Sequence, residues 1–193
     1  MNARSLWLLI ASSILLAGCG TTSERTHPNS PIAITIPYGS LDSPGSYLPG
    51  SRHSNNFYVL LTNVSDQPVR LWTEWCSWGY FSLQFEVTEK NGTVHVLKKK
   101  WINFYVNFPD YDSLKPNQSM VWNIELSSQE WEDLSWLPKD GGAAVKLKVI
   151  YQVNADDDSD EHTIWTGREV SDAYDFTLSG LYDSQPNKQK TQP

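Results

Sequence analysis

The chain has 193 residues, a formal net charge of −7 and a pI near 5.0, with nine Trp, nine Tyr and six Phe. An acidic excess repels phosphate backbones and anionic headgroups, which sets aside nucleic acid and charge-driven adhesion to anionic lipid. The length suits one domain with a real core, since chains of roughly 150 residues bury about 70% of their unfolded surface.

Met1 to Ser5 carry one basic side chain, Arg4, and Leu6 to Gly18 follow without a charge. This is the pattern of a secretory signal over residues 1–18, shorter than the about 20 apolar residues that span a bilayer. Leu16-Ala17-Gly18-Cys19 resembles the lipobox of bacterial lipoproteins. The resemblance implies cleavage after Gly18, acyl-glyceryl attachment to the sulfur of Cys19, and three acyl chains including amide-linked fatty acid such as palmitate. Each buried methylene contributes about 0.8 kcal/mol and two chains already hold a protein stably, so the anchor would be permanent. Gly20 stands where an Asp would favour inner-membrane retention, so the same resemblance points to the outer membrane of the cell envelope. With Cys19 spent on lipid, Cys76 has no partner in the chain and is expected to be buried as an apolar residue.

Residues 19–31 read as the lipidated Cys and a flexible tether rich in Thr, Ser and Pro. A single β domain is expected over residues 32–182, and the polar residues 183–193 read as a disordered tail. Ile32 to Ile36 is a short strand, followed by a Gly-, Ser- and Pro-dense loop from Tyr38 to Asn55. Phe57 to Thr62 is a strand, and Val69 to Trp75 is read as pairing with it after the turn residues 63–68. Leu83, Phe85 and Val87 alternate with polar residues, and Asn91-Gly92 predicts a hairpin to Thr93–Leu97, because both residues tolerate positive φ. Trp101 to Phe108 reads as a further strand, and Trp122, Ile124 and Leu126 alternate in another.

Ser127-x-x-Glu130 has capping-box spacing and predicts one short helix carrying Trp131, Leu134 and Leu137. Val145 to Val153 alternates over the longest strand, and the acidic turn Asp156 to Glu161 leads through His162–Trp165 to a last strand, Tyr174–Leu178. Short strands with a turn every ten or so residues and one helical turn point to an all-β, antiparallel, immunoglobulin-like sandwich, with a closed barrel the alternative that strand count leaves open. Asn63-x-Ser65-x-x-Pro68-Val69, Trp78-Gly79-Tyr80-x-Ser82-Leu83-x-Phe85, Leu114-x-Pro116-Asn117 and Trp165-Thr166-Gly167-Arg168-x-x-Ser171 resemble bacterial secreted or lipid-anchored Ig-like domains, and more loosely the fold of intracellular proteinase inhibitors. Asn117 stands where such domains usually have Gly.

No G-x-S-x-G, H-E-x-x-H, phosphate loop or C-x-x-C occurs, so no catalytic residue is assigned and a non-enzymatic role is expected. No cofactor is implied. The carboxylates of Asp156 to Glu161 are of the oxygen type Ca²⁺ takes, yet the spacing departs from an EF-hand and reads as a solvated hairpin tip, so no metal is expected. Trp72, Trp75, Trp78 and Tyr80 crowd together, and in a strand Trp72 and Trp75 cannot share a face, which makes these four the candidate ligand-contact aromatics. The expected role is a lipid-anchored binding or structural domain for another envelope protein. The alternatives are a carbohydrate-binding module using those aromatics, or a proteinase inhibitor.

Overall fold

The computed structural model describes residues 29–37, 56–138 and 141–179. The residues read as a signal segment, Cys19, most of those read as a tether, residues 38–55 and those read as a tail fall outside them. Ten strands follow one another among the described residues: β1 (Ile32–Thr35), β2 (Asn56–Asn63), β3 (Val69–Trp72), β4 (Leu83–Glu89), β5 (Val94–Lys98), β6 (Tyr111–Leu114), β7 (Ser119–Glu125), β8 (Gly142–Val153), β9 (Gly167–Val170) and β10 (Tyr174–Ser179). Two short helices interrupt them, α1 (Ser77–Tyr80) and α2 (Asp157–Glu161).

Period-two alternation decides which side of each strand faces inward. Met120, Trp122 and Ile124 of β7 are buried while Val121, Asn123 and Glu125 are exposed, and Leu83, Phe85 and Val87 of β4 line up the same way. One sheet runs β1-β2-β7 and the other β10-β8-β4-β5, with β9 also on β8; β3 and β6 pair as a separate ribbon. All these pairings are antiparallel. Rings from opposing sheets meet between them: Phe57 of β2 lies 5.5 Å edge-on from Phe85 of β4 and 5.1 Å from Phe176 of β10, and Trp122 of β7 lies 6.2 Å from Tyr151 of β8. The result is an all-β antiparallel sandwich whose core includes Trp72, Trp122, Trp131 and Tyr151, each almost wholly removed from water.

β9 and β10 continue one edge along β8, offset by a bulge. Ile150 faces Val170 and Leu147 faces Tyr174, so one extra residue sits on the outer strand. Ser171 closes the gap, its amide donating to the Val149 carbonyl and its Oγ accepting from the Val149 amide, both at 2.9 Å.

Several expectations are corrected. β3 pairs with β6, not with β2, because Asn63 ends β2 by turning its side chain into the corner: Nδ2 donates to the carbonyls of Gln67 (2.7 Å) and Leu114 (2.9 Å), and Oδ1 accepts from the Ser65 amide and hydroxyl. Asn117 takes φ +63° in the adjoining turn, a left-handed conformation that Asn tolerates in place of Gly. The 90–93 turn is a hairpin in which only Gly92 has positive φ, at +88°, while the Asn91 side chain accepts from the Thr93 amide. No helix forms at Ser127. One turn closes there, but Glu130 pairs with Lys99 instead of reaching back, Trp131 turns into the core, and Asp133 goes to φ +57°. A further strand, β9, precedes the expected last one, and the last residues of the segment read as a tether are held, Pro31 accepting from the Val64 amide at 2.8 Å.

Candidate functional site

The end of the sandwich where β3 stops and β4 begins gathers most of the exposed aromatic side chains. Trp72 closes β3, and Thr73 is clamped to Asp110 by its amide (3.0 Å to the carbonyl) and by its hydroxyl (2.6 Å to Oδ2). The chain then leaves the ribbon, Cys76 is buried within 3.5 Å of the Thr73 and Asp110 carbonyls, and α1 begins. Gly79 makes this path possible, since a Cβ there would lie 1.7 Å from the Thr73 carbonyl oxygen.

This turn separates the four expected aromatics. Trp72, at 1% exposure, is a core residue and not a ligand contact: it stacks on Trp78 at 5.6 Å and meets Tyr111 and His162 edge-on. Trp78 is half-buried and donates from Nε1 to Asp158 at 3.0 Å. Arg70 braces the far side of the stack, over the Tyr111 ring at 5.1 Å and bonded to the His162 carbonyl at 2.8 Å. Tyr80 is half-buried between Phe81, Phe104 and Lys99, and its phenol is pushed up by burial and by Glu130. Of the four, Trp75 alone stands free in solvent, 77% exposed.

Residues 101–108 are not a strand. They form a loop between β5 and β6 that exposes Trp101 (75%), Tyr105 (95%), Val106 (70%) and Phe108 (76%). Phe104 alone turns inward, onto Tyr80 and Phe81, and Asn107 clasps Ser77, accepting from its amide (2.9 Å) and donating to its hydroxyl (2.8 Å). The root of the loop is therefore fixed and its tip projects. Their apolar character is what suggests a strand in the sequence. The missing feature was alternation: the run has no polar partner at every second position.

A charged cluster lies under the loop. Lys99 sits over the Trp131 ring at 4.7 Å and pairs with Glu130 at 2.5 Å. Burial holds the Glu74 carboxyl above the usual range, offset in part by Lys99 and reinforced by Glu130. Beside it a cleft of about 160 Å³ is lined by Trp72, Trp78, Phe81, Gln152, Asn154 and Asp156.

The acidic segment after β8 is helical at its tip. Asp156 caps α2, accepting from the Ser159 amide at 2.8 Å, while the Ser159 hydroxyl accepts from the Asp156 amide at 2.9 Å. Among the described residues no three His, Cys, Asp or Glu side chains are grouped to hold a metal ion. Cys76 and His95 belong to different neighbourhoods, His95 being paired with Glu89 and stacked on Trp136 at 4.3 Å. No protein-family model matches this chain, and no curated protein matches it in sequence.

Proposed function

We propose that this chain is a lipid-anchored protein of the bacterial cell envelope, its all-β body a non-catalytic immunoglobulin-like domain that binds another envelope protein. The Leu16-Ala17-Gly18-Cys19 resemblance supports the anchor and, with Gly20, the outer membrane. The neighbour orders β1-β2-β7 and β10-β8-β4-β5 support the immunoglobulin-like reading, matching strands A-B-E and G-F-C-C′. One observation carries the binding role: Trp75 is held outward on a braced shoulder, between the Thr73–Asp110 clamp and the Ser77–Asn107 clasp. An exposed Trp on a backbone already fixed on both sides is the kind of anchor that dominates protein interfaces, because little backbone freedom is lost when it is buried.

A photoreactive phenylalanine analogue in place of Trp75 should give discrete protein adducts in native envelopes, and Trp75→Ala should abolish co-purification of the same partner. No adduct from position 75 or from the neighbouring position 81 would reject the assignment. A glycan is the second reading, favoured by the cleft, whose lining brings Trp72, Trp78 and Phe81 together with Gln152, Asn154 and Asp156. Quenching of tryptophan fluorescence by peptidoglycan or polysaccharide fragments, lost in Trp78→Ala, would select it.

A further inference from the structure

Residues 101–109 read Trp-Ile-Asn-Phe-Tyr-Val-Asn-Phe-Pro, nine positions without a charged side chain. Five of their apolar side chains, those of Trp101, Ile102, Tyr105, Val106 and Phe108, are exposed, with 40% exposure the lowest value and 95% the highest. Solvent-facing apolar groups scattered singly need no explanation, but a contiguous projecting set does. Its root is not loose: Phe104 is packed, Asn107 is clasped to Ser77, and the backbone beyond is tied through Asp110 to Thr73. Folding therefore holds these side chains out in water.

The place where the tether joins the body says what lies next to them. Pro31, the last residue before β1, is bonded to Val64, and the neighbouring Asn63 is bonded to Leu114. Leu114 ends β6, and Tyr111 begins it next to Asp110 and the loop. From the root of the tether to the root of the loop the path thus runs through two hydrogen bonds and one strand of four residues, the strand alone covering about 13 Å at the usual rise. The chain between Cys19 and Pro31 is about a dozen residues, at most about 40 Å when fully extended. A leaflet that holds Cys19 is therefore within reach of the loop.

We propose that the 101–108 loop is a second membrane contact, its tip lying in the polar–apolar interface of the leaflet that holds Cys19. The inference rests on the lipid-anchor reading. The chemistry of the tip suits that occupant: Trp and Tyr concentrate at membrane interfaces, where the ring body is in contact with the acyl boundary and the N–H or O–H stays wet. Phe108 and Val106 add apolar area with no polar group to desolvate. The net charge of the chain does not oppose this contact, because the tip carries none and the driving force is apolar burial. Seating the tip also sets the orientation of the body, leaving Trp75 on the shoulder beside the loop for a partner in the same membrane.

The test uses the full-length chain purified from membranes and reconstituted into phosphatidylcholine vesicles. A thiol introduced by Tyr105→Cys carries an environment-sensitive fluorophore; Cys76 is buried and does not compete. A second chain carries the same label through Asn91→Cys, on the turn at the opposite end of β4. The expected result is a several-fold rise in emission and a blue shift at position 105 on reconstitution, insensitive to salt, with no change at position 91. A chain that floats with the vesicles while the position-105 label stays in water overturns this proposal and leaves the anchor intact. A chain that fails to float at all overturns both.

Discussion

Two segments at one end of this molecule carry nearly the same side chains and have opposite fates. Residues 71–78 include three Trp, of which Trp72 is locked in the core against Trp78, Tyr111 and His162. Residues 101–108 include Trp, Tyr and two Phe, and all but Phe104 and the two Asn face solvent as apolar surface. Aromatic content alone does not distinguish a core from a contact surface. What distinguishes them is the polar bracing: in the first segment Asp158 and Arg70 hold the rings in place, and in the second Asn107 and Asp110 hold only the root.

The comparison is sharpest in the unfolding of two single variants. Trp72→Ala removes a fully buried ring that contacts Trp78, Tyr111 and His162, and should cost about 3–5 kcal/mol. Trp75→Ala removes a ring that already faces water and should change stability by no more than about 0.5 kcal/mol. Urea titrations with unchanged slopes measure both, and equal losses for the two would erase the distinction.

The sandwich was legible because alternation is a local property. β4, β5, β7 and β8 were each visible in chain order from Leu83-x-Phe85-x-Val87, Asn91-Gly92, Trp122-x-Ile124 and Val145 to Val153. The candidate site was legible only in part. Trp72 is buried and Trp75 exposed, but β3 ends at Trp72 and a turn at residues 74–75 separates the two, not a continuing strand. The pairing of β3 with β6 depends on where Asn63 sends its amide, which no local pattern encodes. The capping-box spacing at Ser127 and Glu130 failed because Lys99, 31 positions away, takes the carboxylate. The loop was missed for the same reason in reverse: nothing local says that an apolar run will be left uncovered.

A smaller effect separates the two segments by pH. Glu74 belongs to the first, and burial raises its folded pKa above the unfolded value of 4.5. Below 4.5 the carboxyl is neutral in both states and contributes nothing to the pH dependence. As pH rises through that value the unfolded chain ionises first, so stability falls until the folded group ionises too, and the deficit then stays constant. Glu74→Gln should therefore match the wild type at low pH and exceed it at neutral pH. Thermal melts of both chains across that range give the difference curve directly, and a difference that shrinks with rising pH would reverse the sign argued for Glu74.

A combined change at the tip is the most informative about the loop. Replacing Trp101, Tyr105 and Phe108 together by Ser deletes three rings that make no ring contact among the described residues and are each at least 75% exposed. Surface substitutions of this kind shift stability by at most about 0.5 kcal/mol each, and loss of exposed apolar area can raise solubility. Phe104 is left in place because its contacts with Tyr80 and Phe81 fix the root. The triple variant should thus melt close to the wild type. A large loss of stability would mean that the rings are covered by this chain itself, and the loop would then belong with Trp72 as core.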